Sequence, residues 1–178
     1  DGCVETYDWT LSKEDPKNRY ASNVEKSCGG KVVNRSKFDF WFKPRPDGDG
    51  KFLFKTTSIV NGSVIETTMH PQFNRPTEVI QNGIKTTIDY YNTGLVKSRT
   101  TGKMVTSFKY DDSTKKVIEV KSGDRVTSFK YDKAGNLISA QSSEGLAVSL
   151  IYDNKGRIIA LTDQAKRVVN IAYEEKFG

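Results

Sequence analysis

Two segments of this chain, Tyr131-Asp132-Lys133-Ala134-Gly135-Asn136-Leu137 and Tyr152-Asp153-Asn154-Lys155-Gly156-Arg157-Ile158, share the pattern Tyr-Asp-x-x-Gly-polar-aliphatic and start 152 − 131 = 21 residues apart. The same step forward reaches Tyr173, the same step back reaches Tyr110-Asp111, and a shorter step of 19 reaches Tyr91. The chain is a tandem repeat. A period of about 21 holds two strands of ordinary length and two short turns, so each repeat is expected to be one β-hairpin.

The residues between the motifs agree. Val126, Ser128 and Lys130 alternate with Thr127, Phe129 and Tyr131; Val148, Leu150 and Tyr152 alternate with Ala147, Ser149 and Ile151. Period-two alternation rich in β-branched and aromatic residues is the mark of strands with one apolar face. The tyrosine closes each such strand. After it, Asp132 or Asp153 can accept hydrogen bonds from amides ahead of it, and Gly135 or Gly156 can adopt positive φ without a Cβ clash, as a type I turn with a glycine bulge requires. The turns at Ser122-Gly123-Asp124, Ser143-Glu144-Gly145 and Asp163-Gln164-Ala165 read as looser and exposed.

This motif at this period resembles YD-repeat proteins, the group that includes Rhs proteins, teneurins and the shell components of Tc-type toxins. The resemblance covers residues 86 to 178. It is strongest at Tyr131 and Tyr152; Tyr110-Asp111 lacks the glycine, Tyr91-Asn92-Thr93-Gly94 is shorter with Asn for Asp, and Tyr173 begins an incomplete copy. It implies an exported protein, periplasmic, cell-surface or secreted, whose repeats belong to a sheet that encloses or presents something else. At 178 residues the chain is short for a closed shell of that kind.

In an exported protein Cys3 and Cys28 are expected to form a disulfide. A lipid-modified Cys3 is the rival, and two cysteines with the distant His70 make a poor metal set.

Residues 1–36 read as a leader plus one helix, and residues 37–178 as a β-meander. The helix signals are Asp15 as N-cap, Pro16 in the first turn, Gly29-Gly30 as stop, and Tyr20, Val24 and Cys28 recurring every four residues. The expected fold is therefore mainly β: an antiparallel meander of tandem hairpins in a curved or partly coiled sheet, with one N-terminal helix. Lys37 to Phe42 and Phe52 to Phe54 read as aromatic strands, while Asn61-Gly62 and Asn82-Gly83 are strong hairpin turns. Asp47-Gly48-Asp49-Gly50 lacks the rest of a calcium loop and reads as a plain turn.

No apolar run is long enough for a membrane helix. His70 has no orienting partner or nucleophile motif beside it, and neither a phosphate loop nor a metal cluster is present in the sequence. The chain is expected to be non-catalytic and to use no cofactor. Nine basic residues against four acidic between Lys97 and Lys130 concentrate the net charge of +6. Within that segment Lys109, Lys115, Lys116, Lys121, Arg125 and Lys130 form a candidate polyanion-binding face. The expected partner is a protein or an anionic glycan, not nucleic acid. A purely structural role, as a short relative or fragment of a repeat shell, is the alternative.

Overall fold

The computed structural model describes residues 2–12, 17–48 and 50–174. The chain divides into two compact units, residues 1–103 and 104–178. Unit 1 holds β1 (Cys3–Leu11), β2 (Arg19–Cys28), β3 (Lys31–Pro44), β4 (Lys51–Val60), β5 (Ser63–Met69), β6 (Pro76–Gln81), β7 (Ile84–Tyr90) and β8 (Val96–Thr101). Unit 2 holds β9 (Met104–Tyr110), β10 (Val117–Ser122), β11 (Arg125–Tyr131), β12 (Leu137–Ser142), β13 (Ala147–Tyr152), β14 (Ile158–Asp163) and β15 (Val168–Asn170). Within each unit every strand pairs antiparallel with the next, which makes two meanders.

No helix occurs among the described residues, so the expected N-terminal helix is corrected to a strand, β2. The cap at Asp15 and Pro16 lies outside the described residues. A spacing of four is a multiple of two as well as near the helical repeat, so Val24 and Cys28 share a strand face as readily as a helix stripe. Pairing decides between them: β2 lies between β1 and β3, with Val24 opposite Tyr7 and Ser36 and Cys28 opposite Cys3. Residue 36, where the sequence separates leader from meander, falls inside β3.

Strand register sorts the side chains of unit 2. Phe108, Val120, Phe129, Ala140, Val148, Leu150, Leu161 and Val169 fall on one face; Lys109, Glu119, Lys121, Ser128, Lys130, Ser139, Gln141, Ser149 and Thr162 fall on the other. On the apolar face all of these but the exposed Val169 are half-buried, and no second layer covers it among the described residues. Phe52 is the one buried hydrophobic residue among those described. Stability must come from edge-on contacts within each sheet: backbone ladders, turns and cross-strand pairs.

Candidate functional site

The repeated turn is the most elaborate local chemistry in the molecule. At Asp132 the backbone N–H donates to Asn136 O (3.0 Å), and Gly135 N–H donates back to Asp132 O (3.0 Å). Gly135 sits at φ 88° and Gly156 at φ 75°, the left-handed conformation that only glycine adopts cheaply. The same pair of bonds recurs at Tyr91 with Gly94, Ser142 with Gly145, Asp153 with Gly156, and Asp163 with Lys166. At Asp111 the turn is one residue longer, and Lys115 takes the left-handed position at φ 58°. The Ser143 and Asp163 turns are thus as tight as the others, a correction to their looser reading: Ser142 replaces Asp at one, and Lys166 (φ 64°) replaces Gly at the other.

The aspartate grips both atoms of the residue four ahead. Asp132 Oδ1 accepts Asn136 N–H (2.8 Å) and its Oδ2 accepts Asn136 Nδ2–H (3.0 Å). Asp153 does the same with Arg157 N and Nε (2.8 and 2.7 Å), and Asp163 with Arg167 (3.0 and 2.7 Å). This explains the polar position after the glycine. The carboxyls are held below their usual range, by the Asn136 amide first at Asp132, by the Arg157 amide first at Asp153, and by the Arg167 side chain first at Asp163. At Asp111 the Thr114 amide leads, joined by the Ser113 and Thr114 hydroxyls, and lowers it to about 2.

The tyrosines have an equally uniform task. Tyr131 O–H donates to Val117 O (2.9 Å), Tyr152 O–H to Leu137 O (2.8 Å), Tyr173 O–H to Ile158 O (2.9 Å) and Tyr90 O–H to Pro76 O (2.6 Å). Each acceptor is the first residue of the strand whose hairpin the tyrosine completes. A turn shuts one end of the hairpin and the hydroxyl shuts the other. The earliest copy is therefore Tyr90, not Tyr91; Tyr91 occupies the aspartate's place. Cations in the polar position reach the next tyrosine: Lys116 Nζ lies 5.0 Å from the Tyr131 ring centre, and Arg157 Cζ lies 4.5 Å from that of Tyr173.

A further motif was not legible. Turn residues extend the ladder of the preceding hairpin through a reciprocal pair: Asn82 N–H donates to Val64 O while Asn82 Oδ1 accepts Val64 N–H, both at 2.9 Å. Asn61 with Arg35 and Ser143 with Val126 repeat it. The signal is an acceptor side chain at the turn, which Asn-Gly supplies for other reasons as well.

The six cations read from sequence do not converge. Lys109, Lys121 and Lys130 share the polar face, whereas Arg125 falls on the opposite one and Lys115 and Lys116 belong to the Asp111 turn. Lys109 pairs with Glu119 (2.8 Å), Arg125 lies 3.8 Å from Glu144, Lys115 donates to Asp112 O and Lys116 to Gly135 O. Lys121 and Lys130 have no ion pair among the described residues. Cys3 and Cys28 are directly opposed on β1 and β2, Cα atoms 4.2 Å apart, and disulfide-bonded. His70 Nδ1 accepts the amides of Gln72 (3.2 Å) and Phe73 (3.3 Å), and its ring stacks on Phe73 at 4.4 Å. Asp49 of the Asp/Gly turn lies outside the described residues.

No family model and no curated protein sequence matches the chain. Solved structures do. A crystal structure of TcdB2-TccC3-Cdc42 superimposes with a TM-score of 0.53 at 16% identity, over 80% of this chain and 9% of that one. Another, of TcdB2-TccC3 without its hypervariable C-terminal region, gives 0.53 at 13% identity, over 90% and 12%. What is shared is an all-β fold. At such identities the likeness concerns fold alone, and this chain spans only about a tenth of the length of those chains.

Proposed function

We propose that this chain is a divergent stretch of YD-repeat sheet, exported and non-catalytic, whose work is structural: it forms wall that encloses or presents something else. The observation that carries this reading is that Tyr131 and Tyr152 each close the open end of a hairpin with a hydroxyl and lead at once into an aspartate-gripped turn at that same end, 21 residues apart. These bonds use the side chains that would otherwise attract a chemical reading. The lone histidine likewise has Nδ1 engaged by its own loop. The Cys3–Cys28 disulfide fits an oxidising compartment. No helix among the described residues is long and apolar enough to cross a membrane.

A wall has an inside and an outside. Ser149→Cys and Leu150→Cys place thiols on opposite faces of β13, and a bulky thiol reagent applied to the protein in its native source reads each face. The wall reading expects labelling rates that differ by about tenfold or more between intact and denatured-state controls for one face only. Equal, rapid labelling of both faces overturns it.

A second reading, binding of an anionic glycan, is favoured by Lys121 and Lys130, which share the polar face and carry no ion pair among the described residues. Retention on a heparin matrix that weakens with salt and is lost in Lys121→Glu/Lys130→Glu supports it. Retention unchanged by that reversal rejects it.

A further inference from the structure

Register divides the side chains of β5 to β8 between two faces. Thr67, Val79, Thr86 and Thr101 oppose one another across the four strands, and Arg99 lies opposite Ile88 on the same face. The acids of these strands, Glu66, Glu78 and Asp89, all fall on the other face. There Lys55 pairs with Glu66, Lys85 pairs with Glu78, and Ser98 Oγ–H donates to Asp89 (2.8 Å). Arg99 is thus separated from every carboxylate of its own hairpins. It has no ion pair among the described residues, and the next strand, β9, contains no acid.

Arg99 lines a cavity of about 490 Å³ that lies within unit 1. Val79, Ile84 and Ile88 supply its apolar surface, and Ile84 is 63% exposed. A hollow of that volume with a few fixed polar groups is typical of small-molecule sites. Arg99 is the one charged residue in the lining. The polar groups beside it have protons to give. Thr86 Oγ1 and Thr101 Oγ1 stand 2.9 Å apart and share one proton, so the accepting hydroxyl keeps its own for another partner. Asn82 Oδ1 is taken by the Val64 N–H (2.9 Å), which leaves the Asn82 amide as a donor. A lining with one cation, further donors and no carboxylate complements an anion. A guanidinium suits a carboxylate in particular, because the two planar groups meet through two parallel hydrogen bonds.

We propose that this cavity binds a small monocarboxylate with an apolar body, its carboxylate on Arg99 and its body over Val79, Ile84 and Ile88. The inference goes beyond the wall reading: it assigns a ligand to one face of unit 1, and its failure would leave the Tyr131 and Tyr152 closures untouched.

Titration of the 178-residue chain with 4-phenylbutyrate and with its uncharged analogue 4-phenylbutyramide tests it, read from the NMR methyl signals of Val79, Ile84 and Ile88. The carboxylate should shift these signals and bind with a Kd of about 5 mM or tighter. The amide should bind about fivefold more weakly, the contribution of one well-aligned exposed ion pair. Arg99→Gln should abolish that preference and leave amide binding as in wild type, which also shows that the variant is folded. Ile84→Ser, at an exposed position, should weaken both ligands alike. Lys85→Gln removes a charge from the opposite face and should change neither. A weaker Kd for 4-phenylbutyrate, or methyl signals that stay unmoved, overturns the proposal. So does a carboxylate preference that survives Arg99→Gln, and so does an equal loss in Lys85→Gln, the result expected if net charge alone attracts the ligand. Loss of both ligands in Arg99→Gln would assign the arginine to packing and overturns it as well.

Discussion

The first four strands and the strands of unit 2 solve one problem, holding a single sheet together without a core, by different means. β1 to β4 are 9 to 14 residues long, while β9 to β14 have 6 or 7. Long strands add ladder bonds and cross-strand contacts, here the Tyr20 ring edge-on to Phe40 at 4.7 Å, the Arg35–Glu25 pair at 2.7 Å and the disulfide. The turns after β2 and β4, Gly29-Gly30 and Asn61-Gly62, have two consecutive left-handed residues and no carboxylate. Short strands cannot rely on length, and unit 2 is held instead at its ends, by tyrosine hydroxyls and by the gripped turns at Asp132 and Asp153 that follow directly on them. The repeat chemistry begins inside unit 1, at Tyr90. The lesson is that hairpins in a coreless sheet are stabilised along their length or at their ends, and sequence period tells which.

The largest expected effect tests the lengthwise mode. Cys3→Ala/Cys28→Ala removes a crosslink spanning 25 residues, and the chain-entropy relation sets the cost at about 3 kcal/mol in denaturant unfolding. Hydrogen exchange should quicken in β1 and β2 and leave β11 to β14 unchanged. Equal quickening in both would erase the contrast between the two regions.

Next come the glycines of the gripped turns. Gly135→Ala adds a Cβ 2.8 Å from Lys116 Nζ at φ 88°, whereas Gly156→Ala meets no atom within 4 Å at φ 75°. Backbone strain alone costs on the order of 1 kcal/mol, so Gly156→Ala should lose about that and Gly135→Ala somewhat more. Wild-type stability in both would show that the turns carry no strain and the end-closing mode is misassigned.

Tyr131→Phe deletes one closing hydroxyl and leaves Val117 O short of a donor, for a loss of about 1 kcal/mol. Tyr20→Phe in β2, whose hydroxyl has no partner among the described residues, is the control and should be nearly neutral. Similar losses from both would mean that ring packing, not the hydroxyl, matters.

Lys166→Gly should be a gain. It relieves a left-handed lysine at φ 64°, and a stabilisation of about 0.5 kcal/mol or more is expected from the glycine's freedom there.

The smallest effect at any one turn is that of acid. Asp111, Asp132, Asp153 and Asp163 have folded pKa values below the unfolded 3.8. Their contribution is therefore complete above that value and is lost as pH falls through the folded one, a window from 3.8 down to about 2 for Asp111. Exchange at these four turns should quicken in that window, while the Ser142 and Asn61 turns, whose amides no carboxylate grips, hold. Uniform quickening across all six would put the acid response elsewhere.

The sequence carried the hairpin period and the Gly135 and Gly156 turns because glycine at a fixed offset from aspartate has few other uses. It hid the equivalent turns at Ser142 and Asp163, where serine or lysine stands in and only geometry reveals the sameness. It misplaced the first copy by one residue because Tyr90 and Tyr91 are adjacent, and only the acceptor at Pro76 tells them apart. The helix reading of residues 15–29 failed for a reason of arithmetic: every fourth residue also shares a strand face. The candidate basic site was legible as composition only, since ion pairs such as Lys109–Glu119 depend on cross-strand register.

Register is also where the tyrosine hydroxyls have their widest consequence. A strand with one strongly buried face resists slipping by one residue, because the slip turns its apolar side chains outward. A sheet whose faces are both half-open offers little of that resistance, and a slip by two residues, which keeps each face intact, is opposed by even less. Sliding by two moves a tyrosine about 7 Å along the ladder, far beyond reach of the carbonyl it seeks. Each hydroxyl therefore works as an alignment key, accepting one pairing of its hairpin and refusing those displaced by an even step, and the spacing of 14 or 15 residues between tyrosine and acceptor is the length that the key measures.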